Sequence, residues 1–205
     1  LFALLYGTSL VLIRLSIPDK SGADSGAWLA TSSGTVAFAL NLVPFAGIAF
    51  LWFIGVIRDR LGDSEDRFIA TVFLGSGLLF LAMTFVGAAL AGALLTSYAD
   101  AGEALGSGVF AYGRAVMFQI INVYAIRMAG VFMLSLGTLW LRTGLMHRVW
   151  TFVTYALALA LLLSISISLW VTMIFPGWVL AVSVYFLTQT RRDVPDGAAV
   201  ETGSA

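Results

Sequence analysis

The chain has 205 residues, 60% hydrophobic and only 11% charged, with Lys and Arg balanced by Asp and Glu to zero net charge and no cysteine at all. A soluble domain carries about a quarter charged residues, so this is the composition of an integral membrane protein; zero net charge and scattered basic residues argue against nucleic-acid binding. The lack of cysteine excludes disulfides, thiolate metal sites, iron–sulfur clusters and covalent haem, and no cofactor is expected.

One crossing of the hydrocarbon core needs about 20 apolar residues. The hydrophobic runs therefore predict an all-α polytopic integral membrane protein, residues 1–190, with about six transmembrane helices at 1–17, 33–57, 68–97, 113–141, 149–168 and 171–189. Backbone groups in lipid must be satisfied within their own segment, and a barrel would show alternation that these continuous runs lack.

The first run, LFALLYGTSLVLI, has neither a basic leader nor a small-residue cleavage site. It reads as a span that residues before Leu1 would complete, not as a signal peptide. In the second run, Pro44 removes a backbone N–H and frees the carbonyl of Leu40 beside Asn41. Thr84, Ala88 and Gly92 recur at steps of four in the third, with Gly75, Gly77 and Gly87 nearby, a spacing that lets helix backbones approach. In the last, Pro176 either kinks the helix or opens a shorter one, and a kinked or re-entrant entry is favoured. The polar segment 191–205 is expected to be a disordered cytoplasmic tail.

Arg58, Arg60 and Arg67 follow the second run, Arg142 and Arg148 the fourth, and Arg191 and Arg192 the sixth. The intervening loops, 18–32 and 98–112, hold Lys20 as their lone basic residue. The positive-inside rule then places both termini in the cytoplasm, with the bundle in the cell membrane. Trp140, Trp150 and Trp178 fall near span ends, where indole rings prefer to sit, while Trp52 lies slightly inside. Asp100 and Glu103 in the outer loop either gather cations at a pore mouth or belong to an ordinary solvated connection.

The segment GVIRDRLGDSEDR, 55–67, contains Gly55, Asp59, Arg60 and Gly62. Their spacing resembles the Gly-x-x-x-Asp-Arg-x-Gly pattern of the cytoplasmic loop between spans two and three of major facilitator transporters. The resemblance implies loop packing that accompanies alternating access. It covers eight of the 205 residues, and Asp63 and Ser64 stand where that family has further basic residues. Six spans are also only half of a facilitator, whose substrate lies between two halves. The same residues read as a turn in which the arginines anchor the second span, Gly62 caps it, and Asp63 to Asp66 favour the start of the third. No family is assigned on this motif.

Catalytic chemistry has little to work with. The single histidine, His147, lies in a loop between Arg142 and Arg148, and no acidic residue falls inside a predicted span. Haem ligation and zinc hydrolysis lack their ligands, a proton relay lacks its carboxylate, and the serines of SISISLW lack a base. No catalytic, cofactor-binding or metal-binding residue is expected, and the chain is not expected to be an enzyme.

The fourth run holds the most conspicuous polar group. At 100° per residue, Gln119, Asn122, Gly130 and Gly137 share a face, with Arg127 at its border and Tyr124 beyond. An arginine near mid-bilayer costs at least about 2.5–3.5 kcal/mol, so Arg127 needs a partner, and the carbonyl freed by Pro44 offers one. The expected intramembrane site comprises Arg127, Asn122, Gln119, Tyr124, Asn41 and Pro44. Two functions follow: a small transporter or channel subunit built on that site, or a non-conducting accessory subunit in which Arg127 is a structural clasp. The expected partners are the lipid bilayer and either further copies of the chain or a larger membrane complex.

Overall fold

A computed structural model describes residues 1–16, 29–61, 67–101, 107–144, 146–163 and 169–192, and every regular element among them is helical. In chain order these are α1 (Phe2–Ser16), α2 (Leu29–Leu61), α3 (Arg67–Ala101), α4 (Ser107–Gln119), a π-helical segment (Ile120–Ala125), α5 (Ile126–Thr143), α6 (Arg148–Leu163), a 3₁₀ turn (Leu169–Met173) and α7 (Ile174–Arg192). The expected tail from residue 193 onward lies outside the described residues, as does the serine run 164–168, while Arg191 and Arg192 close α7.

The protein is an all-α membrane bundle. Thr31–Arg60, Arg67–Asp100, Gly108–Thr143 and Val171–Thr188 are each long and apolar enough to cross a membrane. The other two, α1 and α6, have 15 and 16 residues. At 1.5 Å per residue that is about 23 and 24 Å, short of the roughly 30 Å core.

Local chemistry explains where several helices begin and end. Gly144 adopts φ 69°, and its N–H donates to the Trp140 carbonyl at 2.9 Å, closing α5. Glycine takes this left-handed conformation without the steric cost of a Cβ. His147 then precedes α6, its Nδ1 accepting the Val149 N–H at 3.4 Å; this is a helix cap, and no ligand role is needed to account for it. Pro176 is the third residue of α7, where the missing N–H would have no intrahelical partner anyway. The proline thus sits in the first turn, and the 3₁₀ turn before it makes the entry. Pro44 leaves α2 continuous over 33 residues.

Between α4 and α5 the backbone widens. The N–H of Ile126 reaches the carbonyl of Ile121, five residues back. A π segment of this kind inserts one residue into the α register, shifting every later side chain by about 100°.

Without water to expel, helices in lipid associate through close packing. Here α1 packs against α2 and α7, α3 against α2, α4 and α5, and α5 against α6. Phe50 is the hub of the aromatic core, its ring centroid 4.9 Å from Phe2, 5.4 Å from Phe80, 5.3 Å from Phe132 and 5.7 Å from Phe175. Gly130 gives α5 its approach to α6: a Cβ there would lie 3.1 Å from the Ala158 carbonyl oxygen.

Arg60 stands over the Phe186 ring, Trp140 touches the same ring, and Trp150 meets Tyr185. These contacts gather the C-terminal parts of α2, α5 and α7 with the start of α6 at one basic end. The other end is marked by Val36, Tyr98 and Phe110. Trp140 and Trp178, expected near span ends, are 1% and 4% exposed and pack together with ring centroids 5.9 Å apart. Trp150 lies at the surface, as does Trp52.

Candidate functional site

The six residues of the expected site, Arg127 among them, do not line one pocket. Asn41, Pro44 and Gln119 lie on the outer surface, and so does Tyr124. Arg127 is half-buried, and its Nη1 donates to the Val123 carbonyl at 3.1 Å, one turn back on its own rod. Asn122 likewise donates through Nδ2 to the Phe118 carbonyl at 3.2 Å.

The cause is the π segment. A uniform 100° projection carries Gln119 and Asn122 onto the face of Gly130 and Gly137, but the register slips between the two pairs. Gly130 and Gly137 turn to α6, meeting Ala158 and Leu162 at the first position and Tyr155 and Thr154 at the second. Pro44 faces outward, and the carbonyl that Arg127 meets is that of Val123 on its own rod. One carbonyl that α2 does offer inward is that of Ala39, which accepts from Ser9 Oγ at 2.7 Å.

The motif residues Gly55, Asp59 and Arg60 belong to α2, which extends to Leu61, and are not in a loop; Gly62 lies outside the described residues. Among the described residues no group of three or more His, Cys, Asp or Glu could hold a metal ion.

The structure instead forms an open cleft of about 220 Å³ between α1, α2, α3, α4, the π segment and the 3₁₀ turn. Its wall is largely apolar, with Val36, Leu40 and Val43 from α2, Ala88 and Ala91 from α3, and Phe110 and Met117 from α4. Polar groups enter from Tyr6, Ser9, Thr84, Asn122 and Thr172, and two cations line it, Arg14 from α1 and Arg114 from α4. Of the expected site residues, Asn122 alone is part of this wall.

Gly87 shapes that wall. A Cβ on it would fall 2.5 Å from Ile121 Cγ1, so any larger residue would have to displace the Ile121 side chain that packs there. The small-residue pattern of the third span has here a different outcome from backbone contact between helices: Thr84 and Ala88 face the cavity with Gly87, while Gly75 and Gly92 meet nothing within 4 Å.

The polar groups are graded in depth. Arg14 lies in the last turn of α1, and Arg114 one turn beyond Phe110, which marks the end opposite the basic one. Tyr6 precedes Arg14 by eight residues, as Arg114 precedes Asn122; at 1.5 Å per helical residue each step is about 12 Å. The cations thus stand near one end and the neutral groups further in.

Sequence reading passed over both arginines because they lie near the limits of predicted spans, where a charge usually flanks the membrane. The usable signal was their side. Both fall at the end where the positive-inside pattern predicts few basic residues.

A second cavity, about 270 Å³, lies at the basic end among α1, α2 and α7, with Arg60 on its wall.

Fold and cavity together define an all-α membrane bundle with a mostly apolar chamber that carries two guanidinium groups. No protein-family model, no curated protein and no solved structure matches the chain. Function is therefore argued from the chamber's chemistry.

Proposed function

We propose that the chain is a non-enzymatic multi-pass protein of the cell membrane, both termini in the cytoplasm, that takes a small solute into the chamber between α1 and α4. The observation that carries this reading is the chamber itself, with Arg14, Arg114, Asn122, Ser9 and Thr84 among the polar groups on a largely apolar wall. A few polar groups converging in an apolar concavity are the usual make-up of a small-molecule site. The solute-handling role expected around Arg127 thereby moves to a different place in the bundle.

Water access tests it, and the absence of cysteine makes the test clean. In Ala88→Cys the new thiol lines the chamber; in Ala158→Cys it sits at a fully buried helix contact. A small charged thiol reagent applied to intact membranes is expected to label the first and spare the second. A folded Ala88→Cys protein that stays unlabelled would overturn the proposal and favour a non-conducting accessory role.

A further inference from the structure

Independently of the chamber, we infer that two copies of this chain pair in the membrane along the outward face of α2, with Asn41 of each copy hydrogen-bonded to Asn41 of the other. The observation that carries it is an amide exposed to hydrocarbon.

Asn41 lies in the span Thr31–Arg60, between four and five residues short of its middle. At 1.5 Å per residue that is about 7 Å, well inside a hydrocarbon core whose half-thickness is about 15 Å. The residue is exposed, and among the described residues its side chain has no hydrogen-bond partner. Lipid satisfies the apolar side chains around it but not a primary amide, and asparagine lacks the long stem with which lysine or arginine reaches the headgroups.

The same face has room for a second helix. Asn41, Pro44, Ile48, Leu51 and Gly55 follow one another at alternating steps of three and four, and all are exposed; that is the spacing of a helix seam. A Cβ on Gly55 would meet nothing within 4 Å, nor would one on Gly34, seven residues before Asn41, and small residues let two backbones approach closely. On the other flank Phe38, Phe45 and Trp52 are exposed, and their rings would hold a second backbone away, so they stay in lipid. Pro44 adds an acceptor to the seam, because it leaves the Leu40 carbonyl without the N–H that a helix supplies.

The occupant is a second copy because an amide carries donors and acceptor together and is therefore complementary to itself. Identical chains inserted the same way also hold it at one depth, whereas a helix of another protein would need a polar group at that level. Around a two-fold axis along the membrane normal the two α2 helices run parallel, and position 41 meets position 41. Each Nδ2 then donates to the Oδ1 of the other copy, and its remaining N–H has the Leu40 carbonyl as acceptor. Gln119 is also an outward amide, but the π segment begins at the next residue and breaks the seam its face would continue.

The experiment uses the full chain, purified and reconstituted in phosphatidylcholine vesicles, with donor and acceptor fluorophores on separate populations of Val149→Cys, an exposed position of α6. Energy transfer followed through dilution with lipid gives the association constant. Asn41→Leu is expected to weaken association about tenfold, as an interhelical hydrogen bond in lipid supplies. Asn41→Gln, which keeps the amide, should recover part of that loss, and Gln119→Leu should change nothing. Oxidation in membranes should cross-link Ile48→Cys between copies but not Leu159→Cys on the exposed face of α6, since a disulfide needs Cα atoms within about 7 Å. Transfer no greater than that of unassociated chains would overturn the pairing and leave the amide to the helix of a different protein. Full association in Asn41→Leu, its loss in Gln119→Leu, or equal cross-linking at the two cysteine positions would overturn the placement on α2.

Discussion

The guanidinium of Arg127 donates to the carbonyl of Val123 across 3.1 Å, inside the π segment that joins α4 to α5. The wide turn disturbs the regular i to i−4 ladder, and the side chain supplies a donor to one of its carbonyls. A hydrogen bond from a charged group is worth about 1.5–3 kcal/mol, while an arginine in the span costs about 2.5–3.5 kcal/mol. The two nearly cancel. Arg127→Leu should change unfolding free energy in a detergent titration by no more than about 1 kcal/mol and leave labelling of Ala88→Cys intact. A loss near 3 kcal/mol would reveal a partner for Arg127 beyond its own helix.

Gly130 and Gly92 should respond in opposite ways to a larger side chain. At Gly130 a Cβ would sit 2.9 Å from Leu162 Cγ and 3.1 Å from the Ala158 carbonyl oxygen, whereas at Gly92 it meets nothing within 4 Å. Gly130→Val should therefore push α5 off α6, costing about 1–3 kcal/mol in overpacking. Gly92→Ala should be neutral or gain up to about 1 kcal/mol from the stiffer unfolded chain. Thermal unfolding of the two purified variants gives the comparison.

How much of this was legible in the sequence depends on which physical signal carried it. Apolar runs are long-range patterns, and helices occupy all six of them, four long and apolar enough to cross a membrane, because a segment in lipid must satisfy its own backbone. The site depended on angular phase, which accumulates error. One π segment, unmarked in the sequence IINVYA, rotates everything after Ala125 relative to Gln119 and Asn122, so a face computed across it joins residues that do not meet. Pro44 signalled a freed carbonyl correctly in principle, yet nothing local told which way it faced. Arg14 and Arg114 were readable as charges on the wrong side of a positive-inside pattern; that both line one cavity required the fold.

Phe50 has five aromatic neighbours, Phe2, Phe53, Phe80, Phe132 and Phe175, and no measurable exposure. Phe50→Ala should cost about 3–5 kcal/mol, as large-to-small changes in packed cores do, because lipid cannot enter the void to replace lost contacts. Phe45→Ala, on the exposed face of the same helix, exchanges one lipid contact for another and should cost well under 1 kcal/mol. Similar losses at both positions would mean that the ring cluster is not what holds α2 in place.

Two threonines on α6 should respond with opposite sign to the same substitution. Thr154 Oγ1 accepts the indole N–H of Trp178 at 2.9 Å, in a buried contact between α6 and α7; Thr151 Oγ1 is buried with no partner among the described residues. Thr154→Val keeps the shape but strands the indole donor, for a loss of about 1 kcal/mol given the modest value of such bonds in membranes. Thr151→Val removes an unsatisfied hydroxyl and should stabilise by a similar amount. Trp178→Phe combined with Thr154→Val deletes both ends of the bond and so isolates it: a double-mutant cycle should return a coupling of about 0.6 kcal/mol or more. Zero coupling, or a Thr151→Val protein less stable than the parent, would mean that a bound water or a neighbouring carbonyl already satisfies these groups, and the α6–α7 contact would then rest on packing alone.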